Sequence, residues 1–185
     1  MAYIIEKLSN QSLEEFSKLH IFKPLGMNNT RVFTILSKGN TFPSRVYGQS
    51  NNGMDDLYYL EGVTGDGAVY STANDLLKWH SGLQSNTLLS KEELNKAFKP
   101  TLLNNGKLSY YGFGWFLHPQ SPNIIGHAGN WVGFNNDYVR NIADDSVLIM
   151  LTNKGGGDNF WTLRERFIPK PLQDVRFRTA EQFMI

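Results

Sequence analysis

The chain has 185 residues, 41% of them hydrophobic and 13% aromatic, with a net charge of +1 and no cysteine. That length fits one domain, or one and part of another, and the apolar content supports a packed core and excludes a disordered chain. The near-neutral charge gives no electrostatic case for nucleic acid or an anionic membrane, and the missing cysteines remove disulfides, thiol catalysis and zinc–thiolate sites.

Residues 2–10 place Tyr3, Ile4, Ile5 and Leu8 at helical spacing, so the chain opens as a helix already under way, without the cationic region and long apolar core of a signal peptide. Ser12-Leu13-Glu14-Glu15 is a capping-box pattern, after which Phe16, Leu19 and Phe22 repeat every three residues until Pro24-Leu25-Gly26 ends the helix. From Asn28 to Asp56 the composition is polar and reads as loop with short strands around Arg45–Gly48; Tyr58–Val63 reads as another. Gly65-Asp66-Gly67 is similar to part of a dinucleotide fingerprint, yet lacks the third glycine and a preceding apolar strand, so a tight turn is the better reading. Thr72 then caps a helix with Asp75 at its third position and an apolar surface of Leu76, Leu77, Trp79 and Leu83, and Ser90-Lys91-Glu92-Glu93 caps another that stops before Pro100.

Beyond Pro100 the texture turns to strands: Tyr110–Leu117, Ile124–His127, Phe134–Ile142 and Ser146–Asn153, close enough in sequence to pair as an antiparallel meander. The longest apolar run, Val147–Leu151, is too short to span a bilayer and reads as a strand covered on both faces. A helix carrying Phe160, Trp161, Leu163 and Phe167 follows Asp158, closed by Pro169 and Pro171. Helices, then strands, then a helix make an α+β layered domain, with helices on the faces of an antiparallel sheet.

The stretch that suggests chemistry is Ile124-Ile125-Gly126-His127-Ala128-Gly129-Asn130-Trp131. An apolar strand that abruptly becomes small and polar lets backbone approach a ligand, and the N–H after Gly129 could face a developing negative charge. A β-turn with a structural histidine accounts for the same residues. No spacing suggests a metal site or a cofactor, His20, His80 and His118 have no partners at ligand spacing, and Trp115, Trp131 and Trp161 read as core or groove aromatics.

Five stretches occur in order: Phe22-Lys23-Pro24-Leu25-Gly26-Met27, Gly65–Leu76, Tyr111-Gly112-Phe113-Gly114-Trp115, Gly126-His127-Ala128-Gly129 and Gly133-Phe134. Over residues 2–168 they resemble the C-terminal two-thirds of the serine β-lactamase and penicillin-binding-protein-like family, in its class C β-lactamase, esterase and D-alanyl-peptidase branch. The resemblance implies an antiparallel sheet flanked by helices, and acyl transfer through a serine ester on a β-lactam, D-alanyl peptide or carboxylic ester. It implies three motifs, Ser-x-x-Lys, Tyr-x-Asn or Tyr-x-Ser, and Lys/His-x-Gly, of which only the last is matched, at His127-Ala128-Gly129. By the same resemblance His127 orients the substrate carboxylate or the tyrosine, Ala128 and Gly129 line the substrate, and the Asn130 backbone N–H is half of an oxyanion hole.

No serine here is followed three residues later by lysine, and no tyrosine two residues later by asparagine or serine. The chain is therefore expected to start past two of the three motifs and to be inactive alone, with residues 2–168 belonging to an incomplete hydrolase domain and 169–185 an unassigned tail. A non-catalytic binding protein using the remnant substrate groove is the alternative. The expected partners are a small-molecule or peptide substrate of an exported parent, and either self-association or pairing with a missing N-terminal segment.

Overall fold

The computed structural model of the chain describes residues 1–36, 42, 45–56, 62–155 and 166. Helix α1 (Ala2–Ser9) ends at Asn10, whose φ of 56° is left-handed. Its helical spacing is real, but Tyr3, Ile4 and Leu8 are exposed, and only Ala2 is buried. Helix α2 (Leu13–Ser17) opens on the expected capping box: Ser12 Oγ accepts from the Glu15 N–H at 3.2 Å, and Glu15 Oε2 accepts from the Ser12 N–H at 3.0 Å. It runs into a π-helical turn, Lys18–Phe22, which shifts the three-residue repeat, so that Phe22 is buried while Leu19 is 48% exposed. Phe22 packs with Met27 and Val32 in a cluster bordered by Leu25 and Trp79.

Strand β1 (Arg31–Val32) follows, then a hairpin of β2 (Gln49–Ser50) and β3 (Gly53–Met54), and β4 (Val69–Tyr70) returns to pair with β1. The strand expected at Arg45–Gly48 is thus displaced to Gln49, where Gly53, at φ 113°, can make the turn that other residues resist. The strand expected at Tyr58–Val63 falls largely on 57–61, outside the described residues, and Gly62 and Val63 are not in a strand.

Helix α3 (Ala73–Gln84) is capped by Thr72 Oγ1, which accepts from the Asp75 N–H at 3.2 Å. The Asp75 side chain is fully buried, and accepts from Asn29 N–H at 2.7 Å, Thr30 Oγ1 at 2.9 Å and Lys78 Nζ at 2.8 Å. Burial raises its pKa, but the Lys78 hydrogen bond and those from Asn29 and Thr30 outweigh it and leave it below the ordinary carboxylate value. Of the apolar surface expected on α3, Leu83 is buried and Leu77 is exposed. Helix α4 (Lys91–Ala97), capped by Ser90, leads to the short pair β5 (Thr101–Leu102) and β6 (Leu108–Ser109).

The main sheet is the expected meander: β7 (Phe116–Leu117), β8 (Ile124–Trp131), β9 (Phe134–Asn141) and β10 (Ser146–Thr152), ordered β10-β9-β8-β7 and antiparallel throughout. Tyr110–Leu117 is not the single strand its alternation suggests. Tyr111 bridges to Phe116 across a tight turn in which the Gly112 N–H donates to Trp115 O at 2.8 Å and Gly114 takes φ 77°. A Cβ on Gly112 would collide with the Ala97 carbonyl oxygen, so the end of α4 dictates the turn. Among the described residues β10 is an edge strand, with Val147–Met150 half-buried and Leu151 40% exposed. The helix expected from Asp158 and the tail lie outside the described residues, Arg166 apart.

Helix α3 is joined to this sheet by His80, a residue the sequence left without a role. It is 4% exposed, with Nε2 2.9 Å from Asp145 O and Nδ1 3.3 Å from Tyr138 Oη. A carbonyl only accepts, so Nε2 carries the proton and Tyr138 donates to Nδ1. Burial lowers the His80 pKa, and it pushes the Tyr138 hydroxyl up to about 12.

Asp75 carries the first prediction. Asp75→Ala strands the Asn29 and Thr30 donors and should cost about 3 kcal/mol in urea unfolding at neutral pH. Because the folded carboxyl lies below its ordinary 3.8, its contribution is full above that value and is lost as pH falls through the folded value. An equal destabilisation well below that window, or none at neutral pH, would contradict the role.

Candidate active site

Strand β8 changes character halfway along. Ile124 and Ile125 are buried, Ile124 against Val139, Phe116 and Leu148, while His127, Gly129, Asn130 and Trp131 are exposed. The cause is the length of its neighbours. β7 pairs only with Ile125 and Gly126, whereas β9 follows β8 to the Trp131–Phe134 pair. From His127 onward, among the described residues, β8 is therefore paired on one side only.

The register fixes which backbone groups face the open side. The Ile142 N–H donates to Asn123 O at 2.8 Å, so odd-numbered positions of β8 point to β9. Antiparallel strands alternate, and the register runs without a slip from Ile124 to Trp131, so the N–H groups of Ala128 and Asn130 point away from β9. The Asn130 N–H, inferred from sequence as an oxyanion donor, thus points away from β9, to the side on which β8 has no paired strand among the described residues.

His127 stands at the start of this open edge. Its Nε2 is 3.0 Å from Tyr111 Oη, its Nδ1 is 2.6 Å from Ala128 O, and its ring lies 4.8 Å from that of Phe116. Tyr111 is half-buried, and burial raises its pKa, so it stays a protonated donor at neutral pH. The two histidines differ in kind: His80 is enclosed between helix and sheet, while His127 is exposed.

The two glycines of the hairpin differ as sharply. A Cβ on Gly129 would meet only Asn136, at 4.0 Å, so no packing demands glycine there. A Cβ on Gly133 would collide with the backbone of Gly48, Gln49 and Asp55. That close approach docks the β8–β9 tip on the β2–β3 hairpin, with the Gly133 N–H donating to Asp55 O at 2.8 Å and the Gln49 N–H to Asn153 O at 2.8 Å. Beneath it Arg45 and Asp56 form a buried ion pair. Arg45 Nη1 donates to Asp56 Oδ1 at 2.9 Å, the same oxygen accepts from the Gly48 N–H at 3.0 Å, and the guanidinium lies over the Tyr47 and Tyr70 rings. The Asp56 hydrogen bond raises the Arg45 pKa, which keeps it charged in spite of burial.

Sequence reasoning placed His127, Ala128, Gly129 and Asn130 on one strand, and they are there; it missed Tyr111 as the partner of His127 and Arg45–Asp56 as the support of the tip. A shallow depression lined by Gln120, Pro122, Asn123 and Asn141 lies at the opposite end of β8 and has no titratable group. Among the described residues no three His, Asp or Glu side chains could hold a metal ion, and no helix is long and apolar enough to cross a membrane.

A family model described as Beta-lactamase matches residues 1–170. The chain is 36% identical over 169 residues to penicillin-binding protein 4* of Bacillus subtilis (strain 168), a match covering 83% of this chain and 38% of that protein. Among solved structures it is similar to a penicillin-binding protein from Bacillus halodurans, with TM-score 0.72, 21% identity and coverage of 90% of this chain and 53% of that one. An octameric penicillin-binding protein homologue from Pyrococcus abyssi gives TM-score 0.69 and 23% identity, covering 89% of this chain and 39% of that one. These structures show the shared fold. The chain spans about two fifths of the length of the curated relative.

The glycine contrast is testable in this chain. Gly133→Ala should destabilise by about 3 kcal/mol, because backbone must move. Gly129→Ala should change stability by less than about 1 kcal/mol. Equal losses in thermal unfolding would show that Gly129 too is a packing residue.

Proposed function

The chain belongs to the beta-lactamase family of serine hydrolases, and from that premise we propose that it supplies the His-x-Gly strand of a hydrolase acting on amide or ester substrates such as a β-lactam, a D-alanyl peptide or a carboxylic ester. Residues 2–168 are taken as the C-terminal part of that domain. The observation that carries the reading is the open edge of β8, with exposed His127 at its head, no side chain at Gly129, and the Asn130 N–H turned outward. A substrate carbonyl laid along this edge would meet the Asn130 N–H as its oxygen gains charge, and Ala128 and Gly129 would leave it room to lie flat. Gly129 supports this because its own fold does not require a glycine.

The nucleophile and its base are not supplied by these residues. No Ser-x-x-Lys and no Tyr-x-Asn occurs in the sequence, so the chain alone should bind at the edge but not turn over. Pairing with a segment that carries those motifs is the assembly that would complete the site. The exposed apolar side chains Tyr3, Ile4 and Leu8 of α1, and the edge strand β10, are the surfaces offered for it. The same absence favours a second reading, a protein that binds peptides in this groove without catalysis.

A labelled fluorophosphonate followed by intact mass tests both readings. The chain alone should form no adduct. With the motif-bearing N-terminal segment of the parent protein added in trans, one adduct should appear on that segment. No adduct in either mixture favours the non-catalytic binder, and a stoichiometric adduct on a serine of this chain overturns the proposal.

A further inference from the structure

His127 has two ring nitrogens, and both are engaged. Nδ1 lies 2.6 Å from Ala128 O, a carbonyl that can only accept, so Nδ1 carries the proton of the neutral ring. Nε2 is then a lone pair, and the group facing it at 3.0 Å is the Tyr111 hydroxyl, which must be the donor. We propose that Tyr111 is a positioning residue of the candidate site, which holds the orientation of His127 by donating a hydrogen bond to Nε2, the nitrogen that the Ala128 O contact leaves as acceptor.

The fold holds Tyr111 for this task. The Phe113 N–H donates to Ala97 O at 3.1 Å, and Gly112 passes so close to that carbonyl that no side chain fits, so the turn is pinned to the end of α4. The Tyr111–Phe116 bridge then sets the two rings 4.9 Å apart, edge to face, and the imidazole sits against both, 4.8 Å from Phe116 and 5.9 Å from Tyr111. Burial keeps the phenol protonated, and so a donor.

The arrangement has a consequence for substrate binding. With Nδ1 engaged on Ala128 O and Nε2 on the Tyr111 hydroxyl, neither ring nitrogen is left over for a substrate carboxylate. An anionic group reaching this end of the edge must be met by another donor, or must displace one of the two bonds. His127 is held at both ring nitrogens, Nδ1 by Ala128 O and Nε2 by the Tyr111 hydroxyl.

The hydrogen-bond part of the inference stands independently of the proposed hydrolase reading, and its catalytic consequence rests on that reading. The test uses this 185-residue chain with 15N-labelled histidine, in solution or by magic-angle spinning, at about pH 8. Wild type should show His127 with a protonated Nδ1 and a bare Nε2. Tyr111→Phe, which removes only the hydroxyl, should leave Nδ1 protonated on Ala128 O and shift the Nε2 resonance, because that nitrogen loses its hydrogen-bond donor. A wild-type ring protonated at Nε2, or a Tyr111→Phe chain whose Nε2 resonance is unchanged, overturns the proposal. In the complete parent protein the same variant should lower kcat/KM about tenfold or more, mainly through kcat. An Nε2 resonance that shifts with kcat/KM unchanged would leave the positioning intact and count against the hydrolase role of His127.

Discussion

A single buried carboxylate holds the helical half of the chain to itself. Asp75 sits in the first turn of α3, yet its side chain reaches the loop that leaves the π-helical turn, where it receives the Asn29 N–H and the Thr30 hydroxyl. Lys78 completes it, and the same ammonium also donates to Gly26 O at 2.6 Å. Burying a charge costs several kcal/mol unless its lone pairs are satisfied, so these partners are a requirement of the fold rather than an addition to it. They explain why the stretch around Met27–Thr30 and the stretch around Thr72–Leu76 occur together: one supplies the donors and the other the acceptor.

From Asp75 the constraint passes along α3 to the sheet. His80, about one and a half turns further on, locks the helix to the β9–β10 turn through Asp145 O and to β9 through Tyr138. Tyr138 pairs in register with His127, so the strand carrying the candidate site is one neighbour removed from the helix. The tip of that strand is held from the other side by the β2–β3 hairpin and the Arg45–Asp56 pair. Among the described residues the unpaired edge of β8 therefore lies between fixed supports.

The parts legible in the sequence are those with local signals. Ser12, Thr72 and Ser90 were readable as caps because each bonds a backbone N–H three residues on. The meander was readable from short spacing and apolar runs, and His127 to Asn130 from an apolar strand turning small and polar. What escaped depends on groups distant in sequence. Asp75 reads as a first-turn acid, but its partners lie 45 and 46 residues away. Tyr111 looks like one ring of an alternating strand, and only the Ala97 carbonyl turns it towards His127. The helical spacing of α1 announces a helix and says nothing of what covers Tyr3, Ile4 and Leu8. Val147–Leu151 reads as an interior strand because composition reports hydrophobicity and not the presence of a neighbour.

The central claim is that, among the described residues, β8 is paired on one side only beyond Gly126, with the Asn130 N–H pointing away from β9, as the proposed oxyanion role requires. Residue-resolved amide hydrogen exchange of the chain measures this directly. The account expects alternation: slow exchange at His127, Gly129 and Trp131, which face β9, and fast exchange at Ala128 and Asn130, which face the open edge. Equal protection at all five positions, or slow exchange at Asn130 with fast exchange at Gly129, would contradict it.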